Sequence, residues 1–92
     1  MDKKKRVRLE VIYDVLNIIR RHNNSIRPTP LLRYSNLSSQ RFSLYLKELL
    51  EKGLVKEMPD QGGRKFLTLT DKGFKYLEKY RVIKGFIEDF DL

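Results

Sequence analysis

The sequence predicts a mainly α fold with one small β-hairpin, an α+β class, and three observations carry that prediction. Apolar residues recur at helical spacing over residues 9–19 and again over 39–52. Residues 65–69, KFLTL, alternate with period two after the glycine-bearing turn PDQGG. Helix-starting and helix-stopping residues punctuate the chain between these segments, with Ser38 or Ser39, Gly53 and Thr70 the clearest marks. A chain of 92 residues, 40% of them hydrophobic, has material for one small core and not for two.

Taken in order, the chain opens with a basic arm over residues 1–8. The stretch LEVIYDVLNII over residues 9–19 then holds eight apolar residues in eleven. Leu9, Ile12, Leu16 and Ile19 make one helical stripe, and Val11, Val15 and Ile18 make a second, so this helix is covered on more than one side. His22, Asn23 and Asn24 end it. RPTPLLRYSN reads as a short helix with Thr29 as its N-cap, Pro30 in the first helical position, and Leu31 and Leu32 facing inward. Ser35 and Asn36 break it, and the next helix runs from the Ser38 or Ser39 cap to about Lys52, where Gly53 stops it. Leu54, Val55 and Met58 form a short strand that PDQGG joins to KFLTL as a hairpin. Thr70 caps a last helix over residues 71–90, with Asp71 in its positive first turn. The order is helix, short helix, helix, hairpin, helix. Two helices joined by a tight turn and followed by a two-stranded wing make a winged helix-turn-helix over residues 9–70, with a long C-terminal helix over 71–92.

Charge points to a partner. Twenty Lys and Arg oppose twelve Asp and Glu, a net of +8. Residues 1–8 carry five bases and one acid, residues 20–47 carry six bases and no acid, and the last eight residues carry three acids and no base. A basic body with an acidic end favours a polyanion, nucleic acid before an anionic membrane surface. No uncharged run approaches the roughly 20 apolar residues of a membrane span, and the basic start leads into an amphipathic helix rather than the apolar block of a secretory signal. Catalysis finds no footing. There is no cysteine, the single histidine, His22, has no partner at a metal-binding or catalytic spacing, and the glycines at 62 and 63 mark a turn rather than a phosphate loop. The chain reads as a non-enzyme with no cofactor, no metal and no evident small-molecule ligand, acting in the cytoplasm at the nucleoid.

The third helix carries the interface. At about 100° per residue, Phe42, Leu46, Leu49 and Leu50 fall on one side, flanked by Tyr45. The other side presents Gln40, Arg41 and Leu44, with Ser43 and Lys47 on a shoulder and acids only from Glu48 onward. Glutamine and arginine read adenine and guanine edges bidentately, and leucine suits a thymine methyl. A helix start such as Ser39 favours a phosphate. The basic arm, Arg27, Arg33 and the wing pair Arg64 and Lys65 are expected to supply further phosphate contacts.

The pieces RLEVIYDVLNII, TPLLRYSNLSSQRFSLYLKELLEKGLV and KFLTLTDKGFKYLEKY resemble the small archaeal winged helix-turn-helix DNA-binding proteins and predicted transcriptional regulators. The resemblance covers roughly residues 6–83. It implies a recognition helix at 39–52, a wing at 54–69 and a dimerisation helix at 71–90. In that last helix Phe74 and Leu77 share a face that closes the domain's own core, while Tyr76, Tyr80, Ile83, Ile87 and Phe90 step by four, three, four and three as a seam for a homodimer. The expected function is double-stranded DNA binding, as a transcriptional regulator or nucleoid-associated protein. A protein-interaction module is the alternative reading, or an RNA binder working through an exposed aromatic such as Tyr34.

Overall fold

A computed structural model describes residues 7–92; residues 1–6, and with them most of the expected arm, lie outside that description. Among the described residues six elements follow in the expected order: α1 Arg8–Arg21, α2 Pro28–Ser35, α3 Ser39–Glu51, β1 Val55–Pro59, β2 Lys65–Leu69 and α4 Asp71–Asp89. Arg8, assigned from sequence to the arm, is the first residue of α1 and forms an ion pair with Glu48 of α3.

The two stripes of α1 explain its place. Val11, Ile12, Val15, Leu16 and Ile19 are all buried, and α2, β2 and α4 pack around them, so α1 is the central helix. Leu9, at the open start of the helix, is exposed. Asn23 and Asn24 end α1 in left-handed conformations, φ 60° and 57°, which asparagine tolerates better than most residues. The Asn24 side chain then accepts a hydrogen bond from the Leu69 N–H at 2.7 Å, tying the end of α1 to β2.

The short helix starts two residues earlier than its sequence signals imply. Arg27 is the extended N-cap, Pro28 is the first helical residue, and the Leu31 N–H closes the first turn on the Arg27 carbonyl at 3.2 Å. Thr29 is therefore inside the helix and caps nothing. Pro28 and Pro30 are both tolerated because the first-turn N–H groups they lack have no intrahelical acceptor anyway. The chain reaches Arg27 in an extended state because Ile26 pairs with Leu67 of β2 through two backbone hydrogen bonds of 3.2 and 2.7 Å. This bridge adds a third edge to the hairpin that no local pattern announces.

Ser35 closes α2 from inside: its buried hydroxyl donates to the Leu32 carbonyl at 2.8 Å and accepts from the Leu37 N–H at 3.3 Å. Asn36 turns left-handed, and Ser38 caps α3 by accepting the Arg41 N–H at 3.2 Å. β1 and β2 pair antiparallel with Val55 opposite Leu69 and Pro59 opposite Lys65.

Thr70 caps α4, accepting from the Gly73 N–H at 3.1 Å while its hydroxyl donates to the Gly53 carbonyl at 2.6 Å. Gly73 lies so close to the residue before β1 that a Cβ there would sit 2.3 Å from the Leu54 carbonyl oxygen. That contact sets the roll of the helix. Gly73, Leu77 and Tyr80, at i, i+4 and i+7, become the buried side. Phe74, expected in the core beside Leu77, instead sits at the edge and is 41% exposed. Tyr76 and Tyr80, expected on the dimer seam, pack on α1 of their own chain: the Tyr76 hydroxyl donates to the Leu9 carbonyl at 2.7 Å, and Tyr80 rests 5.1 Å from the Tyr13 ring. Burial, with the neighbouring Tyr80 adding to it, pushes the Tyr76 hydroxyl up to about 12, so it stays a neutral donor. Beyond Tyr80 the helix continues through Gly85 to Asp89 with Ile83, Phe86, Ile87 and Phe90 exposed.

Candidate nucleic-acid interface

The front of α3 is open along its length. Phe42 and Leu49 anchor the helix to the core, with Tyr45, Leu46 and Leu50 packed beside them. Their partners on the opposite side, Ser39, Gln40, Arg41, Ser43, Leu44 and Lys47, are all exposed, Leu44 to 68%. An isolated exposed leucine is ordinary; one framed by Gln40, Arg41 and Lys47 is the apolar centre of a polar and basic face. The Arg41 guanidinium lies over the Tyr45 ring, 5.9 Å from its centroid, which limits where that charge swings. The first acid of the helix, Glu48, is engaged by Arg8 and by Lys52 at 3.2 Å, so it does not oppose the charge of the front turns.

Two grooves flank α2. Thr29, Leu32, Arg33, Asn36, Leu37, Ser38 and Ser39 line the first, between α2 and the start of α3. Arg27, Pro28, Thr29, Pro30, Arg64 and Lys65 line the second, between the start of α2 and the wing. Thr29 belongs to both walls, so the grooves adjoin, bringing Arg33 and Ser39 near Arg27, Arg64 and Lys65, while Gln40, Arg41, Ser43, Leu44 and Lys47 line neither. The start of α3 adds N–H groups without intrahelical acceptors, of which Ser38 takes one.

The expected residues divide by what else they touch. Arg33 is exposed, with its guanidinium 5.8 Å from the Tyr34 ring. Tyr34 also meets His22 at 5.0 Å, and the His22 Nδ1 donates to the Ile18 carbonyl at 2.8 Å, a helix-capping role. Arg64 and Lys65 are exposed at the wing, Lys65 with a long 3.7 Å contact to Glu57. Arg27 differs from these. Its guanidinium bonds to the Asp60 carboxylate and donates to the Lys65 carbonyl at 3.1 Å. The other oxygen of Asp60 accepts the N–H groups of Gly62 at 2.9 Å and Arg64 at 3.0 Å. The Arg27 hydrogen bond, outweighing the desolvation that opposes it and helped by these N–H groups, holds the Asp60 carboxyl below the usual carboxylate range. Sequence reading missed Asp60 as the organiser of the wing; its position at the head of a glycine turn was the available signal.

Among the described residues no group of three or more acidic or histidine side chains is arranged to hold a metal ion, and no helix is long and apolar enough to cross a membrane.

Comparison with known proteins agrees with the fold. Residues 5–88 match the sequence profile of the family described as "Winged helix-turn-helix". A DNA-binding protein from Sulfolobus solfataricus has a similar structure, with a TM-score of 0.76 at 19% identity over 92% of this chain and 85% of that one. MepR, a transcription regulator of the Staphylococcus aureus multidrug efflux pump MepA, gives 0.75 at 21% identity over 87% of this chain and 60% of its own. A mutant of E. coli MarR, complexed with operator DNA, gives 0.64 at 24% identity over 74% of this chain and 49% of its own. At these identities the neighbours share the fold, and this chain spans half to three fifths of the two regulators. No curated protein matches the chain by sequence.

Proposed function

Since this chain belongs to the winged helix-turn-helix family, we propose that it binds double-stranded DNA, with α3 in the major groove and the wing beside it, as a transcriptional regulator or nucleoid-associated protein. The observation that carries the reading is the exposed, acid-free front of α3, where Gln40, Arg41, Ser43 and Lys47 surround the one apolar residue, Leu44. Base edges fall to Gln40 and Arg41, a methyl contact to Leu44, and the backbone to Ser39, Lys47, Arg33, Arg64 and Lys65. The neighbours from S. solfataricus and E. coli, one described as DNA-binding and the other complexed with operator DNA, support the same partner.

Salt tests this reading. With about four phosphates neutralised, by Arg33, Lys47, Arg64 and Lys65, log K is expected to fall against log salt with a slope of about −3.6, or about two orders of magnitude from roughly 50 to 200 mM. Affinity that is flat in salt would instead favour an apolar protein partner. Selection of bound duplexes from a random pool separates the regulator, which enriches one site, from the general coater, which enriches none.

The same proposal includes a homodimer. Its seam is shorter than the spacing alone implies, since Tyr76 and Tyr80 serve the chain's own packing; Ile83, Ile87 and Phe90 remain, joined by Phe86 at 56% exposure. So much apolar surface on one projecting helix end is a surface for association. Sedimentation equilibrium is expected to show a dimer for the full chain and a monomer for the Ile83→Asp, Ile87→Asp variant, with helical content retained because both side chains lie outside the core. A full chain that stays monomeric at high micromolar concentration would remove the dimer from the proposal. A dimer presents two recognition helices and favours a two-fold site.

A further inference from the structure

The Arg27 side chain is a strong candidate for a phosphate contact by its position, because it lines the groove between α2 and the wing with Arg64 and Lys65. Its bonds say otherwise. The guanidinium spans both ends of the wing turn, holding the Asp60 carboxylate just beyond β1 and the Lys65 carbonyl at the start of β2, the latter at 3.1 Å. Asp60 in turn closes the turn itself, accepting the N–H groups of Gly62 and Arg64 through one oxygen while its own N–H donates to the Arg64 carbonyl at 2.7 Å. On its other side Arg27 is held by the backbone. Ile26 before it is bridged to Leu67, and Pro28 after it begins α2.

Arg27 therefore sits where three elements meet: the extended Ile26 edge, the first turn of α2, and the wing turn. A two-stranded hairpin is marginal on its own in water, and this one has two glycines in its turn. Without a brace, the angle between the wing turn and α2 is set only by the strands and the Ile26–Leu67 bridge below it. A planar guanidinium with donors in a fixed fork suits a two-point brace of this kind, whereas an ammonium offers a single mobile charge.

We propose that Arg27 and Asp60 form a brace that holds the wing at a fixed distance from the helix-turn-helix, and that Arg27 acts on DNA through the placement of Arg64 and Lys65 rather than by touching a phosphate. This rests on the DNA-binding reading above. The chemistry distinguishes the two roles by sign. If Arg27 is a positioning residue, removing Asp60 harms binding just as removing Arg27 does, because either change frees the wing. If Arg27 is instead a phosphate ligand restrained by Asp60, removing the carboxylate releases a cation and improves binding.

The experiment compares the full chain with Arg27→Ala, Asp60→Ala, the double variant and Arg27→Lys, titrated into labelled mixed-sequence duplex DNA at fixed salt. Each single alanine variant is expected to weaken binding about three- to tenfold, with the double variant no weaker than either, the signature of one shared interaction. Arg27→Lys is expected to recover only part of the loss. Tighter binding by Asp60→Ala, additive losses in the double variant, or no change in any variant would each overturn the brace. A second measurement stands apart from DNA. Amide relaxation of residues 60–65 in the free protein is expected to show the wing turn loosened by both single variants and unchanged elsewhere. A wing that stays as rigid as the wild type would refute the brace whatever binds, while a loosened wing in a protein that ignores DNA would refute the DNA reading alone.

Discussion

Replacing Gly73 by alanine is expected to destabilise the fold by about 3 kcal/mol, toward the upper end of overpacking effects, while the same change at Gly85 is expected to stabilise it by about 1 kcal/mol. In an open helix, glycine-to-alanine is favourable at both positions, because alanine loses less backbone entropy on folding. The surroundings reverse the sign at one of them. A Cβ on Gly73 would lie 2.3 Å from the Leu54 carbonyl oxygen and 3.4 Å from the Leu69 side chain, and a backbone carbonyl has no rotamer by which to move away. A Cβ on Gly85 meets nothing within 4 Å. Thermal unfolding reads both, with a fall on the order of 15 °C for Gly73→Ala and a rise of about 5 °C for Gly85→Ala in a domain of this size. Equal shifts in the same direction would mean that α4 does not clamp against the hairpin. The clamp matters to the proposed dimer because it sets which side of α4 meets α1 and which side, bearing Ile83 and Ile87, faces out.

Changing both Gln40 and Arg41 to alanine is expected to leave the melting temperature nearly unchanged and to weaken binding to a preferred duplex strongly. Both side chains are exposed on the side of α3 away from Phe42 and Leu49, so no core contact is lost. Each bidentate base contact is worth roughly 1 to 3 kcal/mol of discrimination, so the pair is expected to cost about thirtyfold at the least on a selected site and less on random DNA. Lys47→Ala gives the contrasting pattern, a similar loss on every duplex with a salt slope smaller by about 0.9. Unchanged affinity of the Gln40, Arg41 variant on all duplexes would exclude α3 from the major groove.

Much of the architecture is legible in the residues because its signals are local. The apolar spacing of α1 and α3, the Ser38 and Thr70 caps, the αL asparagines and the turn between β1 and β2 each report backbone conformation within a few residues. The exposed face of α3 follows in the same way, since helical geometry alone places Gln40, Arg41 and Leu44 opposite Phe42 and Leu49. Where the reading slipped at α2, the competing signals were also local: Thr29 and Pro30 make a good helix start, and the extended edge at Ile26 moved the start back to Pro28.

What the sequence by itself determined is the order of elements, their approximate bounds, and the polarity of the exposed face of α3. Only the tertiary structure decided which partners those elements found. Arg27 and Asp60 are 33 residues apart, Tyr76 and Leu9 are 67 apart, and Asn24 and Leu69 are 45 apart. Nothing in the neighbourhood of any of these residues specifies the other, so no local pattern puts the Arg27 guanidinium on Asp60 or Tyr76 and Tyr80 against α1. The physical reason is that hydrophobic periodicity says which side of a helix is buried but not against what. The roll and docking of α4 were settled by the close approach of Gly73 to the Leu54 carbonyl, a contact that exists only once the hairpin has folded.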